Sequence, residues 1–340
     1  MTIGDTELDP VLIDGYVPVL DIAAARSGNE QARRRIAKKI DGVCRDSGFL
    51  VITGHGIDSD LIQRMHDATL TMFEQSDEWK NQWLCEPTSP TLRGLFRTPS
   101  YVSAAEGVET APDLCELFTM NRLGEPGLAS RDDLGDSFDQ WSVPNVWPDR
   151  PSDMREIWLE YYAAMESLAV DLMRLFAIAL GIDEHFFDDK IDNHITNLCA
   201  NHYPPVMADA LPGQYRKGPH SDWGSLTVLF QDDTGGLEVL DRRSGEWIDV
   251  PVVPGAYVVN IGDLMSVWTN GLWQSTKHRV RVPPPNKRSI ARISIPFFHT
   301  PNWSTVVECL PTCESAERPR QFDPVTSGRY LLGKIQAAYS

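Results

Sequence analysis

The sequence contains few cysteines, and their arrangement excludes a disulfide-rich scaffold. Six cysteines are scattered over 340 residues, whereas small secreted domains place theirs densely and in pairs. Cys309 and Cys313 lie close together but lack a second pair of zinc ligands, so we interpret both as free thiols. This cysteine usage predicts a reducing, cytoplasmic compartment.

Long apolar runs and excess positive charge are also missing. No stretch reaches the roughly 20 apolar residues of a membrane helix, and the first ten residues have no basic and apolar signal pattern. The formal net charge of −17 argues against nucleic acid or an anionic membrane as the main partner. This charge does not exclude an anionic small ligand, because one buried arginine can override the global field locally. The oligomeric state stays open between a monomer and a weak dimer.

Helical patterns dominate the first part of the chain. Apolar residues recur near helical spacing over residues 29–47 and stop at Gly48, and a longer pattern covers residues 152–181. Between these patterns, residues 81–150 are rich in proline, glycine and tryptophan and predict long loops. We therefore predict a mainly helical N-terminal region over residues 1–197.

The pattern changes after residue 197. Short β-rich runs alternate with turns, which is typical of an all-β barrel or jelly roll. The last residues form an amphipathic helical pattern. The predicted fold class is α+β: a double-stranded β-helix (jelly-roll) barrel over residues 198–311, with the helical region packed on it and a helical segment over 312–340.

One histidine and one aspartate precede a strand-like run in GPHSDWGSLTVLFQ, residues 218–231. His220 and Asp222 are two residues apart, so in an extended chain their side chains share one face and can reach one object. Alone, this pair is a weak signal, because a solvated turn with a chance histidine is the more common explanation.

A third candidate ligand, His278, lies within the predicted strand STKHRVRV. The next strand carries Arg292 and Ser294, again on one face, and PPPNK at 283–287 connects the two. A chain reversal centred on residue 285 would place His278 opposite Arg292, with Cβ atoms roughly 5 Å apart. That pair makes sense if the histidine is a neutral metal ligand and the arginine meets an anion on the same metal.

Two histidines and one carboxylate on rigid strands match the ligand set of non-haem Fe(II) oxygenases. Such a triad leaves coordination positions open for a co-substrate and O2. Hydrolytic zinc sites can use the same ligands, so the residues by themselves leave the metal open.

With these residues in place, the chain resembles the 2-oxoglutarate- and Fe(II)-dependent dioxygenases, in the branch of isopenicillin N synthase and the plant flavonoid and gibberellin oxidases. The similarity spans nearly the whole chain. Its segments, in the family's order, are VPVLDI, GFLVITGHGI, NHYPP, PHSDWGSLTVLFQD, GGLEV, VVNIGDLMSVWTNG, STKHRV and RISIPFF.

The resemblance implies a role for each matching residue. His220, Asp222 and His278 would bind Fe(II). The distal carboxylate of 2-oxoglutarate would be held by Arg292 and Ser294, with Tyr203 and Asn201 beside them. For Tyr203, simple packing at the start of a strand is the alternative. The implied enzyme uses O2 to hydroxylate, desaturate or cyclise a small organic substrate at an unactivated C–H bond, in specialised metabolism, and releases succinate and CO2.

Substrate contacts are expected at the mouth of the barrel. The candidates there are Arg93, Phe118, Trp223 and Phe298. Core packing explains each aromatic residue equally well, and a structural salt bridge explains Arg93 equally well.

Two alternative functions stay open at this point. An Fe(II) oxidase of the isopenicillin N synthase type would use no 2-oxoglutarate and would bind a substrate carboxylate with Arg292 and Ser294. A non-catalytic small-molecule-binding barrel would have a broken triad or would lack the arginine. This sequence has the complete triad and also Arg292.

Overall fold

Most strands of the chain belong to two sheets of unequal size. The structure is a computed structural model that describes residues 10–85, 93–97, 111–128, 142–206 and 210–339. Its strands are β1 (Val11–Ile13), β2 (Val19–Asp21), β3 (Phe49–Thr53), β4 (Gly94–Arg97), β5 (Glu116–Asn121), β6 (Asn197–Tyr203), β7 (Lys217–His220), β8 (Leu226–Gln231), β9 (Leu237–Leu240), β10 (Trp247–Asp249), β11 (Tyr257–Ile261), β12 (His278–Val280), β13 (Arg292–His299), β14 (Val306–Val307) and β15 (Val325–Thr326).

The helices lie mainly in the connections between strands, and the last one follows β15. They are α1 (Ala23–Arg26), α2 (Glu30–Asp46), α3 (Ser59–Phe73), α4 (Asp77–Lys80), α5 (Met154–Ala179), α6 (Asp188–Ile191), α7 (Asp263–Trp268) and α8 (Ser327–Tyr339). Two helical patterns of the sequence, at 29–47 and 152–181, are confirmed as α2 and α5. Within the described residues, no helix is both long and apolar enough to span a bilayer.

Local sequence accounts for the start and end of α2. The side chain of Asn29 accepts a hydrogen bond from the Ala32 backbone N–H and caps the first turn. Gly48 has φ +69° after the last turn, and a Cβ there would lie 2.0 Å from the carbonyl oxygen of Gln274. Glycine is therefore required where the chain leaves α2 and enters β3.

The larger sheet has the strand order β1-β2-β3-β11-β8-β13-β6-β5-β4, and the smaller sheet has the order β10-β9-β12-β7. The prediction of an α+β chain with many short strands is confirmed. The predicted barrel is not seen as a closed one, because the described strands form open sheets. Residues 81–150, predicted as loops, contribute β4 and β5 to the larger sheet, and the predicted division into three regions stays a prediction.

The hydrophobic core lies between α5 and the larger sheet. The buried face of α5 includes Trp158, Leu168 and Leu172, and it packs with residues of β8, β11 and β13 in one cluster. A second cluster joins Phe49 and Val258 of the larger sheet to Val239 and Val280 of the smaller one. The two sheets are thus held face to face by apolar contacts. All six cysteines are free, as expected.

Candidate active site

The predicted triad forms one cluster at the edge of the smaller sheet. His220 ends β7, His278 begins β12, and the antiparallel register sets the two residues directly opposite each other. Asp222 follows in the turn after β7. One possible ligand atom from each side chain lies within 4.8 Å of the others, and all three residues are buried. The structure therefore brings together the three residues that the sequence proposed as metal ligands.

Backbone carbonyls orient both imidazole rings. His220 Nδ1 donates to the Gly218 carbonyl oxygen at 2.8 Å, and His278 Nδ1 donates to the Thr276 carbonyl oxygen at 3.2 Å. A carbonyl can only accept, so the proton is on Nδ1 and each Nε2 keeps its lone pair. Both Nε2 atoms lie near Asp222 Oδ1, at 3.9 Å from His220 and 3.6 Å from His278.

Asp222 divides its two oxygens between the protein and the cluster. Its Oδ2 accepts hydrogen bonds from Thr227 Oγ1 at 2.6 Å and from Asn260 Nδ2 at 2.7 Å. Its Oδ1 points to the histidines. Polar groups behind a ligand fix its orientation and tune its basicity in metal sites, and Thr227 and Asn260 are placed to do this for Asp222.

The electrostatics of the cluster favour a neutral His220 imidazole and an ionised Asp222 carboxylate. Burial, together with the positive charge of a protonated His278, lowers the pKa of His220. Burial alone would raise the pKa of Asp222, but the two histidines and the hydrogen bonds from Asn260 and Thr227 outweigh it and lower that pKa. These are the protonation states in which His220 and Asp222 can bind a cation.

Arg292 lies in the same cavity as the triad but on the larger sheet. It is 1% exposed, and its Nη2 donates to Gln231 Oε1 at 3.3 Å. Within the described part of the chain, its Nε and Nη1 have no hydrogen-bond partner. A buried guanidinium with two unsatisfied nitrogens is costly unless an anion completes it.

The predicted cross-strand pairing of His278 with Arg292 is wrong. β12 pairs with β7 and β9, whereas β13 pairs with β6 and β8 in the other sheet. The connection between them, at residues 281–291, contains three consecutive prolines and a short 3-10 turn at Pro285–Lys287. Prolines cannot donate ladder hydrogen bonds, and here the chain crosses from one sheet to the other. His278 and Arg292 line the same cavity from different sheets and are not neighbours within one sheet.

The other predicted anion ligands surround Arg292 on the larger sheet. Tyr203 is the direct neighbour of Arg292 on β6, and Asn201 is the neighbour of Ser294. The Arg292 guanidinium carbon lies 5.0 Å from the centroid of the Tyr203 ring, and Asn201 Nδ2 donates to Ser294 Oγ at 3.5 Å. All four side chains line the cavity. Burial raises the pKa of Tyr203 to about 12, so its hydroxyl keeps its proton.

Of the four predicted substrate contacts, Phe298 alone lines the cavity formed by the described residues. Phe118 is buried, with its ring 4.8 Å from that of Trp158. Trp223 is half-buried against the cluster that includes Leu331 of α8. Arg93 is also buried away from the cavity, and burial lowers its pKa to about 9.

Sequence analysis missed several polar residues of the site. Thr227 and Asn260 support Asp222, and Asn260 carried a usable signal, because an asparagine interrupts the apolar strand YVVNI. Lys217, three residues before His220, also lines the cavity. A regular strand would turn Lys217 to the opposite face, so alternation alone gave no reason to select it.

Two family models match this chain. Residues 195–301 match the 2OG-Fe(II) oxygenase superfamily, and residues 17–150 match the N-terminal part described as that of the non-haem dioxygenase in morphine synthesis. The first range contains the triad, Arg292 and Ser294. The second begins at the strand β2 region and ends before α5.

Similar proteins cover most of the chain. A 2-oxoglutarate-Fe(II) type oxidoreductase of Aspergillus fumigatus is 32% identical over 91% of this chain and 89% of its own length. Validamycin A dioxygenase of Streptomyces hygroscopicus subsp. limoneus is 34% identical over 84% of this chain and 76% of its own length. The crystal structure of a full-length Neurospora crassa protein in complex with alpha-KG and thymine superposes with a TM-score of 0.82, at 28% identity over 96% of this chain and 98% of that one.

Proposed function

The chain belongs to the 2OG-Fe(II) oxygenase superfamily, and from this premise we propose that it oxidises a small organic molecule at an unactivated C–H bond. The enzyme is a 2-oxoglutarate-dependent, non-haem iron oxygenase that uses Fe(II), 2-oxoglutarate and O2. For a hydroxylation, the C–H bond gains one oxygen atom from O2, and the other enters succinate as 2-oxoglutarate loses CO2. Hydroxylation, desaturation and cyclisation are all compatible with this chemistry. We also propose that the two sheets are the halves of a jelly roll, the double-stranded β-helix.

The donor set and the unsatisfied arginine carry this proposal. Two imidazole nitrogens and one carboxylate oxygen within 4.8 Å of one another suit Fe(II), and each donor is already oriented by a hydrogen bond behind it. Across the cavity, Arg292 has two buried nitrogens without a partner in the described residues, which suits a carboxylate. The cavity thus combines a cation site with an anion site, as a chelating dicarboxylate requires.

We assign His220, Asp222 and His278 as the residues that hold Fe(II). When bound, Fe(II) and 2-oxoglutarate supply the oxidising power for the C–H bond. The protein's own part is positional: the carbonyls of Gly218 and Thr276 keep both Nε2 atoms unprotonated, and the Phe49 ring packs 5.2 Å from that of His278.

We assign Arg292, Ser294 and Tyr203 as the residues that hold the distal carboxylate of 2-oxoglutarate. Arginine binds a carboxylate through charge-assisted hydrogen bonds, and Nε and Nη1 have no partner among the described residues. Asn201 helps by donating to Ser294 Oγ, so that the serine hydroxyl proton is available to the carboxylate. Phe298 is the remaining predicted substrate residue with access to the same cavity.

Co-substrate turnover tests the assignment without a known substrate. Succinate formation and O2 uptake are measured with Fe(II) and 2-oxoglutarate, in the uncoupled reaction that needs no primary substrate. We expect the wild type to form succinate slowly, and His220→Ala, Asp222→Ala and Arg292→Ala to lose that activity. Arg242→Met changes an exposed arginine and serves as the control. Unimpaired turnover in any of the three site variants would overturn the assignment.

A further inference from the structure

Lys217 points into the cavity because of an irregularity in β7. The ladder pairs His278 with His220 but Val280 with Lys217. Gly218 and Pro219 of β7 therefore oppose the single residue Arg279 of β12. Such a bulge adds one residue to the strand, so the side chains before it point to the opposite face from the one that regular alternation gives. His278 and Val280 share the cavity face, and their partners His220 and Lys217 therefore share it too. All four residues line the cavity.

The ammonium group of Lys217 is charged and lies inside the cavity. Lys217 is partly buried, and it forms no hydrogen bond or ion pair with any residue that the structure describes. Burial alone would lower its pKa, but the nearby acidic groups, first Cys115 and then Asp113, outweigh it and raise that pKa. Asp113 directs its Oδ1 to the Gly218 N–H at 2.9 Å and does not form an ion pair with Lys217.

The charges of the proposed complex balance without Lys217. Fe(II) has two positive charges, and Asp222 removes one of them. The two carboxylates of 2-oxoglutarate then balance the remaining metal charge and Arg292. Asp113 contributes a negative charge near Lys217, but among the described residues no acceptor is in contact with the ammonium, and an unsatisfied charged donor inside a cavity is destabilising.

From this placement we propose that Lys217 binds an anionic group of the primary substrate, most simply a carboxylate, and selects acids over neutral analogues. The inference rests on the proposed function and deepens it by naming the substrate class. Arg292 and Lys217 stand on different sheets, so each can bind a different anionic group. Arg292, Ser294 and Tyr203 stand on the larger sheet, whereas Lys217 stands on the smaller sheet, on the strand that ends in His220. An acid held by Lys217 is tied to the same strand as the metal ligand, which is suitable for presenting a C–H bond to the metal.

Anaerobic calorimetry with acid and amide pairs tests this role without turnover. The protein is first loaded with Fe(II) and 2-oxoglutarate, and the dissociation constant of 2-oxoglutarate is recorded. The loaded protein is then titrated with acetate, phenylacetate and indole-3-acetate, and separately with their primary amides. Lys217→Met removes the charge at similar volume, and Lys217→Arg retains it. Lys287→Met changes an exposed lysine and is the matched control.

We expect at least one acid to bind the wild type about tenfold or more tightly than its amide, as for a hydrogen bond to a charged group. Lys217→Met should abolish that preference, with the affinity for 2-oxoglutarate nearly unchanged. Lys217→Arg and Lys287→Met should keep the preference. Failure of the wild type to bind 2-oxoglutarate would instead contradict the proposed function, before any acid is added.

Three results would overturn the role of Lys217. The first is a wild type that prefers no acid over its amide. The second is a preference that survives in Lys217→Met. The third is an affinity for 2-oxoglutarate that falls about tenfold in Lys217→Met, because Lys217 would then belong to the co-substrate site.

Discussion

The two sheets that line the cavity differ in how completely their polar groups are satisfied. On the smaller sheet, His220 and His278 each have one ring nitrogen bound to a backbone carbonyl, and Asp222 has one oxygen bound by two donors. On the larger sheet, Arg292 has one weak partner and two nitrogens with none among the described residues.

This contrast indicates two ways of preparing a site for its ligand. The side chains that we propose as metal ligands are oriented by the fold, so little ordering remains when a cation binds. Arg292 is held in place, but no acidic group pairs with it among the described residues. Its buried positive charge is therefore unfavourable until a dicarboxylate neutralises it. The first arrangement favours affinity through rigidity, and the second favours it through complementary charge.

Removal of a metal ligand should have the largest effect. Asp222→Ala leaves two neutral imidazoles and no negative charge at the cation site. We expect the affinity for Fe(II), or for Mn(II) as a redox-stable substitute, to fall about 100-fold or more, measured by calorimetry. Asp67→Ala, at an exposed position of α3, is the control. Near-normal metal affinity in Asp222→Ala would mean that the cluster is not the metal site.

Loss of a hydrogen-bond donor to Asp222 should also lower the metal affinity, but by less. Thr227→Val retains the volume but removes the hydrogen bond to Asp222 Oδ2. Mutation of such supporting partners typically lowers metal affinity by about 10- to 100-fold, and we expect a loss toward the lower end because Asn260 still donates. An unchanged affinity would show that rigidity of Asp222 contributes little.

The smallest expected effect is on the melting temperature, and it should have opposite signs for a variant on each sheet. In the metal-free protein, Arg292→Met removes a buried charge and should raise the melting temperature by about 2 °C, corresponding to about 1 kcal/mol. Thr227→Val should lower it, because the Asp222 carboxylate loses a donor. Thermal unfolding of both variants checks this. A lower melting temperature for Arg292→Met would mean that the arginine stabilises the empty cavity.

The structure brings together the three residues that the sequence proposed as metal ligands, and part of that signal is local. His220 and Asp222 share a face through a separation of two residues, and His278 lies at the start of a neighbouring strand. Alternation along one strand also placed Arg292 and Ser294 on one face, whereas their shared role in binding a carboxylate came from the family resemblance. The helices α2 and α5 followed from apolar periodicity and from the glycines after their last turns.

The remaining features depend on how the chain is arranged in space. The pairing of His278 with Arg292 failed because the proline-rich connection leads to another sheet, and residue order cannot distinguish a hairpin from such a crossing. Lys217 was missed because a bulge reverses its face. Phe118 and Trp223 resemble substrate contacts in composition, but they pack in the core and against the cluster that includes the C-terminal helix.

Joint binding of 2-oxoglutarate by a cation site and an anion site on opposite sheets is tested most directly by an anaerobic titration. Iron-loaded wild type and Arg292→Met are titrated in parallel with 2-oxoglutarate, and the visible charge-transfer absorption of its metal chelate is recorded. We predict absorption that saturates at one equivalent in the wild type, and a dissociation constant about 100-fold higher in Arg292→Met. Equal dissociation constants, or no absorption in the wild type at saturating 2-oxoglutarate, would contradict joint binding.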